Sequence, residues 1–208
     1  MDSLDARLSE RAAIAGLRLD DSLRSALLAY YHLLLRWNAK VNLTSLTDPD
    51  AAIDRLLLEP VTAAQYLPQG SRLIDLGTGG GSPAIPLALA LQSLRLVMVE
   101  SRGRKAAFLR EAARVASLPA VVEAERFEAL AGSETYSSGF DVVSMRAVRM
   151  DVDALGSAAA FLAPGGRIAL FVSPGASFHL PDGLQLDARS SLLPNAELVT
   201  IANVPRGT

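Results

Sequence analysis

The stretch RLIDLGTGGGSPAIPLALA, from Arg72 to Ala90, constrains this chain more than any other. A short apolar run ends in Asp75, and the chain then turns through Gly77, Gly79, Gly80 and Gly81. An Ala/Leu-rich segment of helical character follows. Strand, glycine turn and helix in that order begin a βαβ unit, in which a nucleotide-like ligand lies over the turn at the carboxyl end of the strand. Glycine lets the backbone approach a ligand where a Cβ would obstruct it. The unpaired N–H groups of the helix's first turn face the same place.

The spacing narrows the ligand. Gly77 and Gly79 fit the dinucleotide pattern G-x-G-x-x-G, but its third position is Ser82. What is present is D-x-G-x-G-x-G, from Asp75 to Gly81. The next strand, LRLVMVE, ends in Glu100, close to the spacing of about 20 residues at which an acid meets a ribose. A carboxylate there accepts both ribose hydroxyl protons. A glycine turn that merely packed a helix on a sheet would not need that acid. The pattern resembles the first motif of S-adenosylmethionine-dependent methyltransferases. On this reading Asp75, Gly77, Gly79, Gly81 and Glu100 bind the cofactor, Asp75 contacting its amino-acid part.

At 208 residues the chain suits one domain, or one domain plus an extension. It has no cysteine, which excludes disulfides, thiolate metal sites and a cysteine nucleophile. Its 2 histidines, His32 and His179, are too few for a histidine metal cluster, so no metal site is expected. No apolar run is long enough to span a membrane and the N-terminus lacks a signal-peptide pattern, so a cytoplasmic protein is expected; a monomer is expected as well. A formal charge of −2 does not advertise nucleic acid, and such a partner would need a local basic patch. Residues 3 to about 68 read as helices. Leu23, Leu27, Tyr30 or Tyr31, and Leu34 recur at helical spacing, with Asp20 or Asp21 as cap. His32 reads as a packing residue, and Trp37 and Asn38 as fixing the helices against the sheet. WNAKVNLTSLTDPD leads through a turn into a helix capped by Thr47 or Asp48 and interrupted near Pro60. The organisation expected is an N-terminal helical extension, 1–69, and a ligand-binding domain, 70–208.

In that domain strands and helices alternate, which argues an α/β, parallel, doubly wound sheet. After Glu100 comes the helix SRGRKAAFLREAARVASL. AVVEAERFEAL gives a short strand and a polar turn holding Arg126, Phe127 and Glu128. GFDVVSMRAV gives a strand that runs into Ser144 and Arg146. Pro164, Gly165 and Gly166 form a turn into the strand RIALFV. LQLDARSSLLP and AELVTIANVP supply two last antiparallel strands.

WNAKVNLTSL, IDLGTGGGSPAIPLALA, VESRGRKAAFL, the Arg126-x-Glu128 pair and the SxRAV segment occur in that order. Over residues 33 to 175 the chain resembles the bacterial methyltransferases that modify N7 of a guanine in 16S ribosomal RNA, the glucose-inhibited division protein B family. The resemblance implies a Rossmann-like class I methyltransferase fold, a doubly wound, mostly parallel seven-stranded sheet behind the helical extension. It implies S-adenosylmethionine as cofactor, contacted by Gly77, Ser82, Phe127, Glu128 and Arg146, and 16S ribosomal RNA or the small ribosomal subunit as partner. The chain departs from the family where a His gives way to Leu56, a Gly to Ala84, and Lys-Gly to Pro174-Gly175.

Chemistry bears on the same choice. Guanine N7 offers an exposed lone pair and has no proton to lose, so transfer needs positioning and no general base. A chain without cysteine cannot methylate pyrimidine C5 through a thiol adduct. SMRAV stands where exocyclic-amine methyltransferases carry an Asn or Asp followed by Pro-Pro and an aromatic. Arg146, just past a strand and facing the crevice, is the candidate catalytic residue beside the transferred methyl; its alternative is a surface pair with Asp151 or Asp153. Arg102, Lys105 and Arg149 follow strand ends on that side and are the candidate RNA contacts; for Arg102 and Lys105 the alternative is a solvated helix face. Two other readings stand beside this one. A non-catalytic methyltransferase-fold module for RNA or protein is motivated by Leu56 and Pro174-Gly175. A nicotinamide oxidoreductase is opposed by Ser82 and by the lack of a Tyr-x-x-x-Lys pair.

Overall fold

A computed structural model describes residues 3–204; Met1, Asp2 and residues 205–208, the outer ends of the two expected parts, lie outside the described residues. Five strands run parallel: β1 (Arg72–Leu76), β2 (Arg95–Val99), β3 (Ala120–Glu123), β4 (Phe140–Arg146) and β5 (Leu162–Val172). The last strand, β7 (Glu197–Asn203), enters antiparallel between β5 and β6 (Leu184–Ser191). The 7-stranded order is β3-β2-β1-β4-β5-β7-β6. From β1 the chain winds outward to β3, then returns to place β4 on β1's other side. At such a switch point the connections leave in opposite directions, and a crevice opens beyond the carboxyl ends of the strands.

The strands carry apolar residues on both faces because both faces are covered. Leu73, Leu96, Met98, Val142 and Phe171 meet one layer, with Phe108 and Leu109 of α6 (Gly103–Val115) and Leu87 of α5 (Ala84–Leu91). Ile74, Val97, Val99, Val143 and Met145 meet the other, with Leu155 and Ala158 of α8 (Val152–Ala159). The side-chain period of 2 along a strand makes this division.

The N-terminal part is helical: α1 (Ser3–Ile14), α2 (Asp21–Val41), α3 (Pro49–Ile53), a π-helical turn (Asp54–Leu58) and α4 (Glu59–Ala63). Asp20 and Asp48 cap α2 and α3, accepting from the amides of Leu23 and Ala51 at 2.8 and 2.7 Å. Leu27, Tyr31, Leu34 and Leu57 are buried in the same layer as α5 and α6, so the extension is a further layer on one face of the sheet. Trp37 lies 5.8 Å from Phe108, ring to ring. Asn38 Oδ1 accepts from the amides of Leu43 and Thr44, which turns the chain out of α2.

Three local expectations are corrected. His32 is exposed, because the buried face of α2 takes its neighbours Tyr31 and Leu33. The polar turn around Phe127 is a short helix, α7 (Phe127–Leu130). Pro164–Gly166 lies inside β5, where the register against β4 shifts between Phe140 and Val142. A Cβ on Gly166 would stand 2.8 Å from the Phe140 carbonyl, so the glycine there serves close packing of strands. No helix among the described residues is long and apolar enough to cross a membrane.

Candidate active site

A crevice of about 620 Å³ opens over the carboxyl ends of β1, β2 and β4, within the roughly 300–1,000 Å³ that small-molecule sites occupy. Its floor is the glycine turn. Gly77, Gly79 and Gly80 line it, and Tyr30 Oη from α2 donates to the Gly80 carbonyl at 2.7 Å. A Cβ on Gly80 would stand 2.9 Å from the Leu43 carbonyl, so the chain leaving α2 rests directly on the turn. Thus Leu43, Thr44, Ser45 and Leu46 become a wall of the crevice.

Glu100, at the end of β2, is 7% exposed. Its Oε2 accepts from the Gly79 amide and its Oε1 from the Arg102 amide, each at 2.8 Å. Two backbone donors therefore fix the carboxylate at the rim, and each oxygen keeps a lone pair for a further donor. Phe127 and Glu128, at the start of α7, line the same end of the crevice with Glu125 and Arg126.

At the other end stands Arg146, last residue of β4. Its Nη1 donates to the Arg55 carbonyl at 2.5 Å and to Ser82 Oγ at 3.1 Å. Its Nη2 donates to Glu59 Oε2 at 3.1 Å, its guanidinium lies 4.7 Å over the Phe171 ring, and its Nε is buried without a partner. Burial lowers the guanidinium to about 10, against the attraction of Glu59. Burial likewise pushes the Glu59 carboxyl up, against Arg146 and Arg55. Below the crevice, Asp75 is 1% exposed and accepts from Ser144 Oγ at 2.6 Å. Burial pushes its carboxyl up to about 6, although the Ser144 hydroxyl favours the ionised form.

The fold thus gathers Gly77, Gly79, Ser82, Glu100, Arg102, Lys105, Phe127, Glu128 and Arg146 around one crevice. Asp75 lies beneath it. Gly81 does not line it but packs below, where a Cβ would stand 3.0 Å from Tyr30 and Ile85. Arg149 lies outside, exposed and paired with Asp151 at 2.7 Å. Arg146 pairs with neither Asp151 nor Asp153. Arg55, Leu56, Glu59, Thr78 and Val148, which sequence reasoning did not assign to the site, line or underlie it. Their signal is weak: RLLLEPV reads as an ordinary helix, and only contacts across 87 residues reveal Glu59.

The sequence pattern of the rRNA small subunit methyltransferase G family matches residues 23–173. A "Ribosomal RNA small subunit methyltransferase G" of Stenotrophomonas maltophilia (strain K279a) is 40% identical over 154 residues, 74% of this chain and 70% of that protein. One of the same name from Xanthomonas axonopodis pv. citri (strain 306) is 37% identical over 177 residues, 85% of this chain and 76% of that protein. Among solved structures, a putative methyltransferase yhhF from Escherichia coli superposes with a TM-score of 0.59 at 12% identity, covering 78% of this chain and 90% of that one. The last likeness is one of fold.

Proposed function

The chain belongs to the rRNA small subunit methyltransferase G family, so its reaction is S-adenosylmethionine-dependent methyl transfer to ribosomal RNA, and we propose that the acceptor is N7 of a guanine in the 16S molecule. The crevice residues fit the cofactor. A carboxylate pinned by two amides suits a ribose diol, Phe127 offers an apolar ring to a purine, and the buried Asp75 suits an ammonium group. When bound, S-adenosylmethionine supplies an activated methyl, which the N7 lone pair takes while the sulfur–carbon electron pair stays on sulfur; no proton moves.

The observation that carries the N7 reading is the lining itself. Among its residues there is no histidine and no cysteine, and its lining carboxylates, Glu100, Glu125 and Glu128, stand at the opposite end from Arg146, which favours an acceptor that needs placement and no base. Its charge arrangement agrees. Methylated guanine is cationic, and an uncompensated arginine beside it would oppose the reaction. Arg146 is compensated by Glu59 at 3.1 Å, so that end presents an ion pair. Arg146 accordingly serves to shape the methyl-transfer end.

RNA would be held by the rim. Arg102 and Lys105 line the crevice and form no ion pair among the described residues, which leaves them available to phosphates. Arg149, beyond the crevice, is the third candidate. We read the protein as working as a monomer in the cytoplasm, where its substrate is found.

Small ribosomal subunits from cells lacking the gene, incubated with the protein and methyl-labelled cofactor, test the reading. Label recovered as 7-methylguanine in 16S RNA is the expected result. Label on an exocyclic amine overturns the N7 assignment, and cofactor binding without any label favours a non-catalytic module.

A further inference from the structure

The N-terminal extension meets the methyl-transfer end of the crevice through one irregular turn. Asp54–Leu58 is π-helical, and such turns recur at functional sites because their carbonyls leave the regular ladder. Two of them are taken by side chains from the α/β part of the chain. The Arg55 carbonyl accepts from Arg146 Nη1 at 2.5 Å and the Leu56 carbonyl from Ser82 Oγ at 2.8 Å. Immediately after the turn stands Glu59, its side chain 6% exposed. Its Oε2 accepts from Arg146 Nη2 at 3.1 Å and from Arg55 Nη1 at 3.3 Å; its Oε1 accepts from that same Arg55 nitrogen at 3.4 Å. One buried carboxylate carries two guanidiniums, and both line the crevice.

The two guanidiniums differ. Arg146 is 7% exposed, and both its terminal nitrogens are already engaged by protein acceptors. Arg55 is 34% exposed and held only by long contacts to Glu59. Charge-assisted bonds are normally near 2.7–2.9 Å, so Arg55 retains donors for a better acceptor. Its place in the fold says which acceptor. Glu100 marks the β2 side of the switch point, and Arg55, Ser82 and Arg146 lie on the β4 side. A ligand whose ribose rests on Glu100 and whose chain crosses β1 brings its far end to them.

We infer that Glu59 is a positioning residue that holds Arg146 and Arg55 at the β4 side of the crevice, and that Arg55 is the guanidinium it presents to the carboxylate of the cofactor's amino-acid part. The inference rests on the S-adenosylmethionine reading. Arg146 is fixed from below by Glu59 and from the side by Ser82, which in turn is tied to the π-helical turn. Removing the Glu59 charge frees both arginines, and what is lost is recognition of the amino-acid end, with the nucleoside seat on Glu100 untouched.

Two ligands separate these ends. S-Adenosylhomocysteine carries the amino-acid part, whereas 5′-methylthioadenosine presents a similar nucleoside thioether without it. Calorimetric titrations compare the unaltered chain with Arg55→Gln, Glu59→Gln and Glu59→Asp. Arg55→Gln should weaken S-adenosylhomocysteine by about ten- to hundredfold, the loss of one charge-assisted bond, and leave 5′-methylthioadenosine within about twofold. Glu59→Gln should show the same selectivity, and Glu59→Asp should restore part of it. A purely structural role for Glu59 would weaken both ligands alike, and that outcome overturns its positioning role. Unchanged S-adenosylhomocysteine affinity in Arg55→Gln overturns the carboxylate assignment and leaves Arg55 to the RNA. Because Arg55 is partly exposed, its variant keeps the test decisive even where a Glu59 variant does not fold. If the unaltered chain binds neither ligand, the cofactor reading fails and the inference falls with it.

Discussion

Asp75 is the residue whose environment makes the sharpest demand. Its carboxyl sits at about 6 because burial disfavours the charge, while an unfolded Asp sits near 3.9. The folded protein therefore holds this proton more tightly than the unfolded chain. The stability contributed by the neutral form is full below about pH 4 and is lost as pH rises through about 6. An ammonium group bound above Asp75 reverses the preference, since it favours the anion. S-Adenosylhomocysteine affinity should thus rise between about pH 5 and pH 7, and Asp75→Asn should flatten that rise in calorimetry; a rise that persists in the variant assigns it to another group. Glu100→Ala should weaken the same ligand by about 1–3 kcal/mol, since the ribose loses a charged acceptor, and unchanged affinity removes Glu100 from the site. Both residues stand out in the sequence because local rules place them, one ending the first strand before the glycines and one ending the next strand. Glu59 does not stand out. Its meaning depends on Arg146, 87 residues away, and nothing in the spacing of RLLLEPV marks a π-helical turn.

At the scale of elements, the glycine turn and the segment leaving α2 behave as one unit. A Cβ on Gly79 would meet nothing nearer than the Gly77 carbonyl at 3.8 Å, so a side chain there has room only because the crevice is in front of it. Its φ of +60° strains any branched residue. Gly79→Val should therefore leave a folded protein and nearly abolish cofactor binding, and normal binding would mean the glycines serve packing alone. Gly80→Ala should act by another route. Its Cβ would press the Leu43 carbonyl at 2.9 Å, at a cost of about 1–3 kcal/mol in overpacking. Thermal unfolding should then show a lower midpoint, with no change if the Leu43–Leu46 wall yields freely. The sequence displayed these glycines but not which neighbour each one serves. The same limit explains two misread elements. Gly165 and Gly166 look like a turn, yet they lie at a register shift within β5, Gly165 at a φ of +77° and Gly166 where the Phe140 carbonyl leaves no room for a Cβ. Arg126, Phe127 and Glu128 read as a polar turn, yet a helix starts there, and its Phe127 and Leu130 pack against the second apolar layer.

At the scale of the whole molecule, alternation of strands and helices made a doubly wound sheet legible, because the central strands β1, β2, β4 and β5 are apolar on both faces. Strand order at the far edge was not legible, since the alternation of LVTI fixes which way its side chains face and not that β7 slips between β5 and β6. Charge is a property of the same scale. The chain carries −2 overall, so attraction to RNA must come from how its cations are distributed. Arg102 and Arg126 are exposed and line the crevice with Lys105, and none is in an ion pair among the described residues. Arg149, by contrast, is already paired with Asp151. Each phosphate neutralised contributes about one unit to the salt dependence of binding. Reversing Arg102 and Lys105 to Glu should weaken binding to small ribosomal subunits sharply and flatten the plot of log affinity against log salt by about two units. S-Adenosylhomocysteine affinity should stay nearly intact, because Glu100 is held by the backbone amide of Arg102 and not by its side chain. If subunit affinity is unchanged across the salt series, the rim is not the RNA grip. The exposed pair Arg36 and Lys40, at the end of α2 beside the Leu43–Leu46 wall, would then have to carry it.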